Sequence, residues 1–362
     1  MSVFVRVGGL FRHIGCWIKN HRLQTILFMG AVLVASAGAI TYVLLKQPLP
    51  KPNITPVAIK PKLPAPKYYG LLDGTPVADQ TATTAPVTAI MLENSPDARP
   101  QSGLKQAQVV YEAIAEGGIT RFLALYQQNK PQLIGPVRSV RMYYVDWAAP
   151  YQASISHIGG SAAALAEVRN GNYRDLDQFF NAAYYWRATD RYAPHNVYTS
   201  FEKLDALNAA KGYTSSSFTG LIRTDSKPTG TPDATNINVT ISGPLYNSQY
   251  TYDPATNTYQ RNQAGAPHLD REDGQITPSV VVVLKVDMSL IMEDGWRENI
   301  TTNGSGEAQI FQNGTAQTAT WSKADRASPL KLTGADGKDL AFNRGQTWIT
   351  AIPTNTGSVT WQ

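Results

Sequence analysis

Residues 109–126 read VVYEAIAEGGITRFLALY, and this stretch sets the fold class. Two strand-length apolar runs, 109–115 and 119–126, flank Gly117-Gly118. Glycine adopts the positive φ that a tight turn demands, so the segment predicts a β-hairpin. Side chains two apart along a strand point the same way, so Glu112 and Glu116 are expected on one face, either as a carboxylate pair or as plain surface residues.

Outward from the hairpin, strands and helices alternate. Apolar runs at 87–92 and 153–158 read as further strands. Ala162–Arg169 reads as a helix with Ser161 as its N-cap and Gly171 past its end. A second helix follows Thr199-Ser200-Phe201-Glu202, a capping-box pattern, with Phe201, Leu204 and Leu207 on one face and Gly212 as the stop. Residues 213–236 are rich in Thr, Ser, Gly and Pro, which places a domain boundary near 225–236. Beyond it the chain reads as β throughout, at 237–241, 249–252, 259–261, 280–286, 307–311, 318–321 and 347–352. Turn signals at Asp253-Pro254, Asn313-Gly314 and Asp336-Gly337 have the spacing of a small sandwich, roll or barrel. The expectation is an α+β protein, with a mixed α/β domain over 68–232 and a mostly-β domain over 233–362.

The first 67 residues are of another kind. Residues 24–45 run without a charge, and at about 1.5 Å per residue they extend roughly 33 Å, enough to cross a bilayer core. Arg6, Arg12, Lys19 and Arg22 precede this run, which by the positive-inside tendency keeps a basic tail, 1–23, in the cytoplasm. The apolar run continues past the small-residue triplets near Ala37 to Leu45, which favours a single-pass anchor over a cleaved signal peptide. Residues 46–67 carry seven prolines and read as a semi-rigid stalk of about 50–60 Å. The rest of the chain is then extracytoplasmic, borne on a cell membrane.

Charge distribution bears on partners. The formal net charge is +5, but nine of the 32 basic residues and no acidic ones lie before Tyr68. That leaves 23 basic against 27 acidic residues in the outer part, so it has no nucleic-acid footprint. The single cysteine, Cys16, precedes the apolar run, so no disulfide can form within the outer part.

Polar residues crowd around glycines and prolines between 93 and 201. The segments are Asp97-Ala98-Arg99-Pro100-Gln101-Ser102-Gly103, Glu116 to Phe122, Gly135-Pro136-Val137-Arg138-Ser139-Val140-Arg141, His157-Ile158-Gly159-Gly160-Ser161, and Ala193-Pro194-His195-Asn196. With Gly304-Ser305-Gly306, Asn313-Gly314, Trp321 and Gly345-Gln346-Thr347-Trp348-Ile349, they resemble the YerB-like lipoprotein family (domain of unknown function 3048) over most of 68–362. The resemblance implies a two-domain extracytoplasmic protein and brings no established activity. Familiar members look like lipoproteins with a lipid-modified cysteine after the apolar run; here no cysteine follows it.

Read chemically, Arg121, Arg138 and Arg141 offer guanidinium forks for carboxylate or phosphate. The last two would converge on one anion if their segment were helical. Gly159 and Gly160 let a ligand approach the backbone, and the helix behind Ser161 offers unpaired N–H groups. With Asn196 these form a candidate ligand site. His157 and His195 are candidate acids or bases, with Glu112 or Glu116 as carboxylate partner. No paired-histidine spacing points to a metal, and no cofactor is expected.

Three functions are open at this level. One is an envelope protein binding a cell-wall glycan, an anionic ligand or a partner protein. The second is a hydrolase or transferase acting on envelope polymers. The third is a structural scaffold whose arginines pair internally with Glu112, Glu116, Asp146 or Asp190.

Overall fold

Alternate side chains of the hairpin divide the interior in two. Val109, Tyr111, Ala113, Leu123 and Leu125 enter one apolar core, while Val110, Ile114, Phe122, Ala124 and Tyr126 enter the other. Both faces of these strands are therefore covered, which is why the sequence reads as near-continuous apolar runs. The computed structural model describes residues 17, 19, 21–46, 66–225, 227–290 and 297–362. It separates into one unit up to Pro64 and a second over Ala65–Gln362.

In the first unit, helix α1 spans Arg22–Lys46 with a mean hydropathy of 2.1 and no buried residue, long and apolar enough to cross a membrane. Cys16 and the proline-rich stretch 47–65 lie outside the described residues.

In the second unit the elements that position the site come in chain order. They are β1 (Thr88–Glu93), β2 (Val109–Glu116), β3 (Ile119–Tyr126), α2 (Met142–Ala148), β4 (Ser154–His157), α3 (Ala162–Arg169), β5 (Arg174–Asp177) and α4 (Phe201–Ala210). Then follow β6 (Asn236–Thr240), β7 (Ser248–Asp253), β8 (Thr258–Gln263), β9 (Ala266–Pro267), β10 (Val280–Val286), β11 (Met288–Leu290) and β12 (Glu298–Ile300). The last are β13 (Gly304–Gln312), β14 (Thr315–Lys323), β15 (Lys331–Thr333), β16 (Thr347–Pro353) and β17 (Ser358–Trp361).

Among the described residues, ten strands form one sheet in the order β15-β14-β13-β10-β16-β2-β3-β1-β4-β5. Its seam is the parallel pairing of β16 with β2, Thr347 opposite Val109 through Thr350 opposite Glu112. The stretches expected as separate domains thus share a sheet. The expected self-contained sandwich, roll or barrel for the later strands is corrected: β10, β13, β14, β15 and β16 extend the earlier sheet, and neither of the two larger sheets closes on itself. Turn spacing reports hairpins and carries no information on a parallel pairing between strands separated by most of the chain. A second sheet, β9-β8-β7-β6-β17, is antiparallel throughout and alternates buried with exposed residues. Its buried side, with Ile237, Val239, Tyr250 and Tyr259, meets the core that also takes Phe201 and Leu204 of α4. Helices α2 and α3 cover the opposite face through Tyr144, Val145, Trp147, Ala164 and Val168.

Local signals are obeyed closely. Gly117 and Gly118 both take positive φ, 55° and 76°, and close the hairpin. Ser161 Oγ accepts from the Ala164 N–H at 3.4 Å and starts α3 as expected. The N-cap of α4 is Ser200 rather than Thr199: Ser200 Oγ accepts from Lys203 N, while the Thr199 hydroxyl donates to the Tyr184 carbonyl at 2.9 Å.

Candidate functional site

Strands β1, β4 and β5 are mutually parallel, and β3, antiparallel to both β1 and β2, makes β2 run with them. They end on Glu93, His157, Asp177 and Glu116, so one sheet edge sets His157 and Glu116, which the sequence singles out, beside Glu93 and Asp177, which it does not. In open α/β sheets the carboxyl ends of parallel strands are where ligands bind, because the connecting loops diverge there.

Glu116 is the hub of the first cluster. Arg121 reaches its Oε2 at 2.6 Å, and both Nε and a terminal nitrogen of Arg141 contact Oε1. Arg121 is 6% exposed and Arg141 8%, and burial pulls the Arg121 guanidinium below its ordinary range. The expected pairing of Glu112 with Glu116 does not form. A register shift between Ile114 and Glu116 inserts one residue, and past a bulge the side-chain parity flips. Glu112 instead points to the other face. It is fully buried, accepts from Arg261 at 2.7 Å and Trp348 Nε1 at 2.9 Å, and ties β2 to β8 and β16.

Arg138 and Arg141 do not converge either. Residues 138–141 are extended, with Val140 bridged to Gly160, and α2 begins only at Met142. Arg138 turns toward Glu93, its Nε 3.3 Å from Oε1. The same oxygen lies 2.9 Å from His195 Nδ1 and accepts the Ser95 hydroxyl at 2.8 Å. His195 Nε2 points outward, 4.0 Å from the exposed Asp97. The carboxylate partner of His195 is therefore Glu93 and not Glu112 or Glu116. Asn196 is taken up by its own loop: it accepts from Arg187 and donates to the carbonyls of Ala188 and Arg191.

The glycine turn supports α3. A Cβ on Gly160 would lie 2.8 Å from Val140 Cγ1 and 3.0 Å from Val140 O, so only glycine lets the two segments approach this closely. Gly159 has φ 64°, its carbonyl accepts from Val140 N at 3.0 Å, and it faces His157 Nδ1 at 2.8 Å. His157 is fully buried, and its Nε2 lies 2.9 Å from Asp175 Oδ1. Asp177 is held by Arg169 at 2.6 Å. Ligand atoms of His157, Asp175 and Asp177 all lie within 4.8 Å of one another, an approach invisible to a search for paired histidines.

Between α2, α3 and β12 lies a cavity of about 520 Å³, lined among others by Arg141, Tyr143, Asp146, Ser161, Arg297 and Glu298. Burial raises the Glu298 carboxyl above its ordinary range. Phe179 and Phe180 are exposed on the loop after β5, 64% and 71%, and Arg169 stacks on Phe180 at 4.9 Å. Tyr185 of the aromatic triplet 184–186 is buried, and its hydroxyl donates to the Leu176 carbonyl.

Sequence reasoning missed Glu93, Asp175, Asp177 and Arg297 as site residues. Glu93 had a signal, an acid closing an apolar run ahead of Asn94-Ser95-Pro96-Asp97. Asp175 and Asp177 had another, alternate acids at a strand end.

Two family models match the chain, described as the N-terminal and C-terminal domains of a protein of unknown function (DUF3048), over residues 72–214 and 237–349. A curated relative, "Putative lipoprotein YerB" of Bacillus subtilis (strain 168), is 34% identical over 283 residues, 76% of this chain and 83% of its own length. The crystal structure of YerB protein from Bacillus subtilis superposes with a TM-score of 0.72 at 29% identity, covering 81% of this chain and all of that one. With both halves matched in order and the fold shared, the chain belongs to the DUF3048 family.

Proposed function

We propose that this is a membrane-anchored envelope protein, its N-terminus cytoplasmic and its outer unit extracytoplasmic, that binds an anionic, glycan-like envelope polymer at the carboxyl edge of the large sheet. The observation that carries the reading is the cavity itself, whose lining brings Arg141, Arg297 and the capped N-terminus of α3 to one place. Guanidinium groups and a helix N-terminus both favour an anion. The exposed rings of Phe179 and Phe180 near Gly159 add flat apolar surface of the kind sugar rings stack on. The basic residues before α1 and none of the opposite charge there support the orientation.

The test is co-sedimentation of the full chain, in detergent, with purified wall material bearing anionic polymer and with the same material stripped of it. Retention only by the anionic material supports the reading, and equal retention by both refutes it. A hydrolase or transferase reading draws on the contact between His195 Nδ1 and Glu93, which leaves Nε2 outward as a base; unchanged turnover of wall fragments by His195→Ala would dismiss it. The internal pairing of Arg121 with Glu116 supports a scaffolding part for that arginine.

A further inference from the structure

The turn after β4 assembles a donor set that no spacing along the chain announces. His157 is fully buried, and its Nδ1 sits 2.8 Å from the Gly159 carbonyl oxygen. A carbonyl oxygen only accepts, so Nδ1 carries the ring hydrogen, and Nε2 of a neutral imidazole presents a lone pair. That lone pair faces Asp175 Oδ1 at 2.9 Å, an oxygen already accepting the Asp177 N–H at 3.0 Å. Two lone pairs at this separation repel, so a positive species belongs at Nε2. The choice is a second ring proton or a metal ion.

We propose that His157, Asp175 and Asp177 bind a divalent transition-metal cation of the Mn2+ and Zn2+ class. The polar atoms lie within 4.8 Å of one another, so shifts of a few tenths of an ångström bring all three onto one ion. Two cis ligands about 2.1 Å from a common ion are about 3 Å apart, which the contact of Nε2 with Asp175 Oδ1 matches. Metal-bound histidines characteristically give their other N–H to a backbone carbonyl, which fixes tautomer and ring orientation, and the Gly159 carbonyl plays that part here. One imidazole with two carboxylates suits a borderline cation better than Ca2+ or Mg2+, which favour all-oxygen shells.

The surroundings fit capture of an ion from solvent. The Asp175 side chain is 19% exposed and opens the set to the outside, while His157 lies beneath it. Asp177 Oδ1 accepts from Phe179 N at 3.1 Å, and Oδ2 accepts from Arg169 at 2.6 Å, leaving its second lone pair. Arg169 is 36% exposed and competes for that carboxylate, so it acts as a counter-charge that a metal displaces outward. The set adjoins Gly159 and α3 but is independent of the polymer-binding reading, since metal uptake is measured with no polymer present.

The test is Mn2+ titration of the chelator-stripped full chain in detergent, followed by electron paramagnetic resonance, with Zn2+ as competitor. One saturable site is expected, displaced by Zn2+ and showing hyperfine coupling to a ring nitrogen. Asp175→Asn keeps an acceptor for the Asp177 N–H but loses the charge, and weakens binding by roughly tenfold or more. Arg169→Gln removes the competitor and tightens binding. Absence of saturable binding to either ion, or a bound Mn2+ without nitrogen coupling, overturns the proposal in favour of the doubly protonated ring. Equal affinity in wild type and a folded Asp175→Asn does the same. Should Asp175→Asn fail to fold, the nitrogen coupling of the wild type and the direction of the Arg169→Gln change decide.

Discussion

Replacing Glu112 by Gln separates its structural part from the catalytic part the sequence allowed it. Both partners of the Glu112–Arg261 pair are fully buried at 2.7 Å, and Trp348 Nε1 and Thr120 Oγ1 also donate to the carboxylate, at 2.9 and 3.2 Å. Burial is the largest single influence and pulls the Arg261 guanidinium down, but Glu112 and Tyr250 together outweigh it and the net displacement is upward. Removing the carboxylate charge leaves a cation in the core with the Trp348 ring 4.4 Å away and His268 Nδ1 at 2.8 Å as its main remaining contacts. Breaking a buried pair from one side costs about 3–5 kcal/mol. For a unit of this size unfolding in urea with a slope near 3 kcal/mol/M, that is a midpoint shift of about 1–1.7 M. The assay is urea unfolding of residues 65–362 followed by tryptophan fluorescence. The double change Glu112→Met with Arg261→Met should recover most of the loss, because no charge then remains buried. A cost of Glu112→Gln below about 1 kcal/mol would refute the account of this pair.

Two further outcomes are expected. His268 is held well below its ordinary 6.5 by burial and then by the Arg261 charge, so the folded protein keeps it neutral. Below about pH 6.5 the unfolded chain takes up a proton the folded one refuses, so stability falls with pH; the wild type should lose about 1.4 kcal/mol more than His268→Gln between roughly pH 7.5 and 5.5, and parallel losses would contradict this. For topology, Cys16 is the sole cysteine, so a membrane-impermeant thiol reagent applied to intact cells should leave the wild type unlabelled and label Thr214→Cys, whose side chain is exposed. Labelling of Cys16 alone would reverse the orientation.

What the sequence disclosed was local. The hairpin at Gly117-Gly118, the Ser161 cap and the bounds of α3 each depend on residues within a turn of one another. The parity of Glu112 and Glu116 misled because a bulge leaves no mark in composition, and one inserted residue sends the two carboxylates to opposite faces of the sheet. The shared sheet was hidden for a different reason: Val109 and Thr347 meet across the chain, and both strands look like ordinary buried apolar runs. Arg121, Arg138 and Arg141 were expected in one candidate site, with the last two converging on one anion. The segment is not helical there: Arg141 joins Arg121 at Glu116 and Arg138 goes to Glu93, so their acids were only partly foreseen. Glu116 was named as a partner, while Glu93 entered through the antiparallel register that sets it opposite Arg121. Asp175 and Asp177 reach His157 only because β5 pairs in parallel with β4.

The central claim, that the cavity beside α3 holds an anionic polymer, is tested most directly by calorimetric titration of phosphate-bearing wall-polymer fragments into the full chain and into Arg297→Ala. The account predicts saturable, salt-sensitive binding to the wild type that weakens by roughly tenfold or more in the variant, since a charge-assisted contact is lost. Equal affinities for the two proteins, or no saturable heat with either, would contradict it.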